Sequence, residues 1–272
     1  GKYLYDLYKE AYTPWEWHQE LFQVANEEGL ICFSSPFDRT AVDFLESLNN
    51  PIYKIASFEI TDIPLIEYVA KTMKPIIIST GVALEEDIQL AINTCRNIGN
   101  NDITLLKCTS SYPAPIEEAN LCMIKDLASR FGVKAGLSDH TLGSLSSIIA
   151  VSMGAVMIEK HFILNRSIGG PDAAFSMAEE DFKQMVTDIR TTESAIGTIS
   201  YKLTNSARKN RDFCRSLYVV ENIKAGERLT DRNIRSIRPG YGLHPQYLGS
   251  VVGRIAKVDL ELGTALNFED LE

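Results

Sequence analysis

Six short apolar runs recur along this chain with helix-like sequence between them: "LICFSSPFD" (30–38), "IYKIAS" (52–57), "PIIISTG" (75–81), "ITLLKCTS" (103–110), "VKAGLSD" (133–139) and "AVMIEKHF" (155–162). They are near-continuous in Ile, Val and Leu rather than alternating, as in parallel strands covered on both faces. The segments between them, such as "TAVDFLESLN", "LEEDIQLAINTCRNIG", "ANLCMIKDLASRFG" and "LGSLSSIIAVSMG", carry helical patterns, several closed by glycine. Strand therefore alternates with helix, and the runs end near 37, 57, 80, 110, 139 and 162. That repeat suits the βα unit of a barrel or of a doubly wound sheet.

The strand ends decide between the two. A dinucleotide-binding sheet needs a Gly-rich turn after a strand and an acidic residue further on, and the chain has neither. Instead each run ends in polar residues: Ser34 and Ser35; Lys54, Ser57 and Glu59; Ser79 and Thr80; Thr109, Ser110 and Ser111; Ser138, Asp139 and His140; Glu159, Lys160 and His161. Chemistry collected at carboxyl strand ends marks the active face of a (β/α)₈ barrel. A closed barrel needs eight units, and six are countable, so the expected fold is an α/β TIM-type barrel lacking its first two βα units.

A helix is expected over 14–28, with Thr13 as its cap, Pro14 at its first position, Glu16 completing a capping box and Gly29 ending it. An amphipathic helix is expected over 178–198, then a polar, basic linker (199–212). From 213 to 272, short alternating stretches broken by "KAGE", "RPGYG" and "ELG" predict a small, mostly β second domain after the barrel domain of 1–198.

Composition narrows the function. A net charge of −9 and the lack of a Lys/Arg cluster argue against a nucleic-acid partner. No apolar run approaches the ~20 residues that cross a bilayer, so no membrane association is expected. Five cysteines without a CxxC pair fit reduced thiols, and the expected location is the cytoplasm.

Of four histidines, His140 and His161 stand at the ends of consecutive strands. Paired imidazoles there suit a divalent metal acting as Lewis acid, although a strand-end histidine also serves as an ordinary hydrogen-bonding residue. Ser35, Lys54, Ser57, Ser79, Ser110 and Ser138 could converge on one anion, or the serines could cap the helices that follow. Lys54 argues for the anion, because a lysine near a barrel's interior needs a negative partner. Glu59 and Glu159 could move a proton or bind a sugar hydroxyl, or simply pair with Lys54 or Lys160. Asp172, in the small-residue loop "GGPDAAFS", could swing over the pocket or be a plain turn residue. Arg238 in "RPGYG" looks like a solvated turn arginine.

The strings "SSPFD", "KIASFE", "ISTGVA", "CTSSYPAP", "GLSDHT", "EKHF" and "GPDAAFS" resemble, in order and spacing, the sialic acid synthase family. "CRSLYVVENIKAGE" and "RSIRPGYGL" resemble the antifreeze-like (SAF) domain that closes those enzymes, and "KIASFEI", "LKCTSSYPAP" and "SIGGPDAAFS" look most like the pseudaminic acid synthase branch. The resemblance implies a transferase that joins phosphoenolpyruvate to an acetamido sugar with loss of phosphate by C–O cleavage. It implies that His140 and His161 hold a divalent metal (Mn²⁺, or Mg²⁺ or Co²⁺) near the sugar aldehyde. Lys54, Ser35, Ser57, Ser79, Ser110 and Ser138 would grip phosphoenolpyruvate, while Glu59, Tyr112, Glu159 and Asp172 face the sugar, with proton transfer assigned first to Glu59. Arg238 would enter the partner's site in a domain-swapped homodimer.

The chain departs from the N-acetylneuraminate synthases at Ser110, Phe58 and Lys107, where those enzymes carry Asn, Gly and His. These departures count against the N-acetylneuraminate substrate, and the resemblance implies 2,4-diacetamido-2,4,6-trideoxy-L-altrose; N-acetylneuraminate or legionaminate synthesis is the alternative. The family's first two strands supply a Glu, a Lys and a Gln that the chain does not contain. A weakly active or inactive chain with open sheet edges is therefore expected. Two other readings stay open: a sugar- or phosphate-binding protein without turnover, and a metal-dependent barrel aldolase or hydrolase.

Overall fold

A computed structural model describes residues 2–272, which fall into two units that divide between Gly197 and Thr198. In the first, helices α1 (Lys2–Ala11), α2 (Trp15–Glu27) and α3 (Arg39–Ser47) precede strand β1 (Tyr53–Ile55). Then α4 (Ile63–Ala70), β2 (Ile76–Ser79), α5 (Glu85–Ile98), β3 (Ile103–Cys108), α6 (Met123–Phe131), β4 (Lys134–Asp139), α7 (Leu145–Ser152) and β5 (Ile158–Lys160) alternate, and α8 (Glu179–Ile196) closes the unit. The five strands are parallel and lie in sequence order, a half-barrel in which each strand pairs with the next.

Two expectations change. The run at 30–38 is not a strand: it meets the sheet only through a parallel bridge between Ser34 and Tyr53, with the Ser34 N–H held by the Asn50 side chain. Its apolar Leu30, Ile31 and Phe33 are exposed, so it lacks the two covered faces that its composition suggested. The cap of α2 also differs. Pro14 itself takes the N-cap position without a side-chain cap bond, which leaves Thr13 one residue too early and Glu16 one residue short of a capping box. Helix α1 was not anticipated, though Leu4, Leu7, Tyr8 and Ala11 have helical spacing.

Local chemistry fixes most other boundaries. Asp38 and Asp62 accept the N–H groups of Ala41 and Leu65 as N-caps of α3 and α4, and Gly99 and Gly132 end α5 and α6 in left-handed geometry.

Strand parity places the site. Tyr53, Ile55, Ile76, Ile78, Ile103, Leu105, Ala135 and Leu137 pack with Val42, Leu45, Ile66, Val69, Ile92, Ile124 and Leu127 of the helices in one apolar core. Each fully buried isoleucine there contributes about 2 kcal/mol. Successive side chains alternate faces, so the intervening Lys54, Ser79, Cys108, Ser138 and Glu159 share the opposite, inner face.

Gly136 lies on that inner face, where an added Cβ would come within 2.4 Å of the Met157 carbonyl oxygen and 2.8 Å of Leu106 Cδ2. The Met157 carbonyl also accepts the Leu137 N–H at 2.9 Å, so it cannot withdraw without opening the β4–β5 ladder. Gly136→Ala is expected to cost about 3 kcal/mol of folding free energy. An unchanged denaturant midpoint would sink this account of the close approach.

In the second unit, the stretch expected to be a plain linker forms the short helix α9 (Asn205–Asn210), capped by Thr204. Strands β6 (Ser216–Val219) and β7 (Ile234–Ile237) pair antiparallel, and isolated bridges tie Tyr218 to Ala265 and Ile223 to Leu260. Leu217, Val219, Ile223, Leu229, Ile234, Val251, Leu260 and Leu266, with Val251 from helix α10 (Leu248–Val251), form a core of its own.

Candidate active site

The inner face of the half-barrel ends in a cation. Lys54 is only 7% exposed. Its Nζ donates to the Ile55 carbonyl at 3.3 Å and lies 3.6 Å from Glu159 Oε2. An ammonium has three donors, and these partners leave it able to take a further anion. Ser138 donates its hydroxyl to the other Glu159 oxygen, at 2.5 Å, so Lys54, Glu159 and Ser138 form one chain across β1, β4 and β5.

A second cluster gathers round Gly81. Its N–H donates to Ser57 Oγ at 3.1 Å. A Cβ there would meet Ser110 Oγ, Cys108 Sγ and Ser57 Oγ within 3 Å, so these groups converge on a backbone that must have no side chain. Burial works against ionising the Cys108 thiol. Hydrogen bonds from His140, Ser57 and Ser110 outweigh it and bring the group to about 7.

Two buried oxygens in the site have no hydrogen-bond partner among the described residues, Ser79 Oγ and Glu59 Oε2. Buried polar atoms are nearly always satisfied in native proteins, so both suit a polar ligand. Burial raises the Glu59 carboxyl above the usual range, against the opposing pull of its own N–H and of Lys54.

His140 and His161 stand together, ring centroids 5.2 Å apart. His140 Nδ1 is 2.9 Å from the Thr109 carbonyl oxygen, which can only accept, so Nδ1 carries the proton and Nε2 presents its lone pair. His161 Nδ1 is 3.3 Å from Asp172 Oδ2, with the same consequence. Metal-binding histidines are oriented in this way, the distal nitrogen donating to a carbonyl or carboxylate. The pair therefore fits a divalent cation as two nitrogen ligands. Among the described residues no group of three or more His, Cys, Asp or Glu side chains is placed to complete a metal shell, so substrate or solvent would fill the remaining positions. Burial lowers the His161 ring below its ordinary value; at His140 burial acts the same way, but the Cys108 thiol and the Thr109 carbonyl outweigh it.

Tyr112 packs on His140 at 4.4 Å and Phe175 on His161 at 4.9 Å, flanking the pair with aromatic rings. The loop bearing Asp172 and Phe175 is stapled back, because the Met177 N–H donates to the His161 carbonyl and Ser176 bonds the Asp172 carbonyl.

The structure thus assembles Lys54, Glu159 and Ser138; joins Ser57 and Ser110 through Gly81; and sets His140, His161, Tyr112 and Asp172 together. Ser35 is half-buried just beyond the Ser34–Tyr53 bridge. Arg238 is exposed in the second unit, followed by a cis proline. Of the two alternatives for the glutamates, Glu159 does pair with Lys54, whereas Lys160 pairs with Asp139 on the outer face. Sequence reasoning missed Gly81, Cys108 and Phe175. Parity was the available signal for Cys108, which stands two positions on from Leu106 on the inner face.

A parallel half-barrel that gathers a buried lysine, hydroxyls, carboxylates and two paired imidazoles at its carboxyl strand ends is a barrel-type enzyme. Residues 1–201 match the NeuB family, and residues 215–272 match the SAF domain. The chain belongs to the NeuB family and, like its synthase members, is a transferase. It is 51% identical to the pseudaminic acid synthase of Helicobacter pylori over 270 residues, covering 99% of this chain and 79% of that protein. It is 45% identical to the pseudaminic acid synthase of Campylobacter jejuni, over 98% of this chain and 78% of that one. Among solved structures, the spore coat polysaccharide biosynthesis protein SpsE of Bacillus subtilis aligns with a TM-score of 0.66 at 32% identity, covering 99% of this chain and 81% of the other. No helix among the described residues is long and apolar enough to cross a membrane.

Proposed function

We propose that the protein is a pseudaminic acid synthase, condensing phosphoenolpyruvate, 2,4-diacetamido-2,4,6-trideoxy-L-altrose and water to pseudaminate and phosphate. The observation that carries this reading is the buried Lys54 ammonium on the same strand face as the paired imidazoles, an anion site beside a site for a carbonyl. The choice of sugar follows the two relatives of that name.

Lys54 and the hydroxyls of Ser35, Ser57, Ser79 and Ser110 hold the phosphate and carboxylate of the enol ester through charge-assisted hydrogen bonds. Ser138, already bonded to Glu159, orients that carboxylate between the anion and the sugar. Tyr112 and Asp172 line the sugar's side of the pocket. His140 and His161 hold a divalent cation which, when bound, polarises the sugar aldehyde for attack by the enol carbon. Water then adds at C2, and phosphate leaves with its bridging oxygen. Glu59, its bare Oε2 facing no protein donor, accepts one proton as water adds. Of the two protons the water brings, one ends on the former aldehyde oxygen, now a hydroxyl, and the other leaves with phosphate as the C2 carbonyl forms, so Glu59 is returned ionised.

As a base, Glu59 works when ionised. Because burial raises its carboxyl, rate is lost as pH falls through a value above the ordinary carboxylate ~4.3. The acid limb of kcat/KM is expected above that value, and Glu59→Gln should lower kcat about 10²–10⁴-fold and remove the limb. A limb that persists in Glu59→Gln would assign the base elsewhere.

The reading as a whole is tested by phosphate release. Release should require both phosphoenolpyruvate and the sugar, cease with EDTA, and be fastest with the trideoxy sugar among a panel that includes N-acetylmannosamine. Binding without release would favour the non-catalytic alternative, and turnover without phosphoenolpyruvate the aldolase. In the same reading Arg238 completes the sugar site of a partner subunit. Sedimentation should then show a dimer, and mixing inactive Arg238→Ala with inactive Lys54→Met should restore part of the activity.

A further inference from the structure

Each site histidine follows a charged residue whose side chain leaves the site. Asp139 and Lys160 are register partners on the last rung of the β4–β5 ladder. On the outer face their side chains, 1% and 2% exposed, meet at 2.9 Å. Asp139 Oδ1 accepts the N–H and hydroxyl of Thr141, and Oδ2 accepts the hydroxyl of Ser147 on α7. Lys160 also donates to the Thr141 carbonyl. One ammonium therefore grips the residues on both sides of His140 while it sits one residue before His161.

Beyond that rung the two strands part. The His140 carbonyl accepts the Ala114 N–H, and the His161 carbonyl accepts the Met177 N–H, so each histidine backbone binds a different segment. The ion pair is the last direct link between β4 and β5 ahead of the imidazoles. A buried pair is a weak source of stability, because desolvating both charges cancels most of their attraction, and apolar residues of like volume serve a core as well. What the pair supplies is direction, with every bond aimed.

The geometry points to Asp139 and Lys160 as positioning residues, a cross-strand clamp that sets the spacing of His140 and His161 and with it the site's affinity for a divalent cation. This rests on the metal reading above.

The test uses Mn²⁺ alone, with binding followed by electron paramagnetic resonance and folding by thermal melts. The apolar double variant Asp139→Leu/Lys160→Met leaves Thr141 and Ser147 without their acceptor and should melt below the wild type. In its folded form it should bind Mn²⁺ at least about tenfold more weakly, the loss typical when groups that orient metal ligands are removed. Ser147→Ala keeps the ion pair and takes one anchor from Asp139, so a weakening of about threefold is expected should the double variant fail to fold. Wild-type affinity in either folded variant overturns the clamp. His140→Ala and His161→Ala separate the two claims. If they bind Mn²⁺ as the wild type does, the metal reading fails and the clamp falls with it. If they lose Mn²⁺ while the double variant keeps it, only the clamp falls.

Discussion

Lys54→Met is expected to lower kcat/KM for phosphoenolpyruvate about 10³-fold, a loss of about 4 kcal/mol. The ammonium is buried on the inner face, and a hydrogen bond to a charged group contributes about 1.5–3 kcal/mol, so two such bonds to a bound phosphate account for the loss. The substitution keeps the length of the stem and removes only the charge. Glu159, whose side chain is 39% exposed, loses its partner but keeps Ser138 and access to water, so the fold should survive with a melt within a few degrees of the wild type. Lys54→Arg retains charge but carries a larger, planar head into the space beside Glu159, and recovers little. Calorimetry with phosphoenolpyruvate alone separates binding from turnover. Binding within threefold of the wild type in Lys54→Met would remove the anion site from its place in the mechanism.

Much of this arrangement was legible because two periodicities reinforce each other. Lys54, Ser79, Ser138 and Glu159 stand out as polar residues inside runs that otherwise pack a core, and period-2 alternation turns them to one face. The imidazole pair followed from strand order, since β4 and β5 are neighbours and their ends fall 21 residues apart. What failed was information the runs do not carry. "LICFSSPFD" has a strand's composition, but pairing depends on what lies beside it, and only Ser34 is paired. Asp139 and Lys160 were visible as charges that the same alternation turns to the outer face, yet nothing local shows that they pair with each other. Lys107, marked by its departure from the N-acetylneuraminate enzymes, alternates out of the pocket: its ammonium donates to the Cys108 carbonyl and the Thr109 hydroxyl. Gly81 was hidden for another reason. A glycine after a strand is usually a turn residue, and this one is needed for closeness rather than for an unusual backbone.

Gly81→Ala should therefore damage the site far more than the fold. Its backbone lies outside the left-handed region, so alanine meets no conformational penalty and the whole effect is steric. The new methyl would stand 2.1 Å from Ser110 Oγ and 2.9 Å from both Cys108 Sγ and Ser57 Oγ. All three are side-chain ends that can turn away, unlike the backbone carbonyl facing Gly136, so the cost in stability should stay near 1–2 kcal/mol. Turning away, however, takes Ser110 and Ser57 off the anion and loosens the Gly81 N–H bond to Ser57. Two lost hydrogen bonds to a charged ligand correspond to a drop of about 10²–10³ in affinity for phosphoenolpyruvate. Ser110→Ala in the Gly81→Ala background removes the closest contact; it should return the melt toward the wild type without restoring affinity. The two glycines thus predict opposite signatures, lost stability at Gly136 and lost binding at Gly81. Wild-type phosphoenolpyruvate affinity in Gly81→Ala would mean that the hydroxyls gathered there do not hold the substrate.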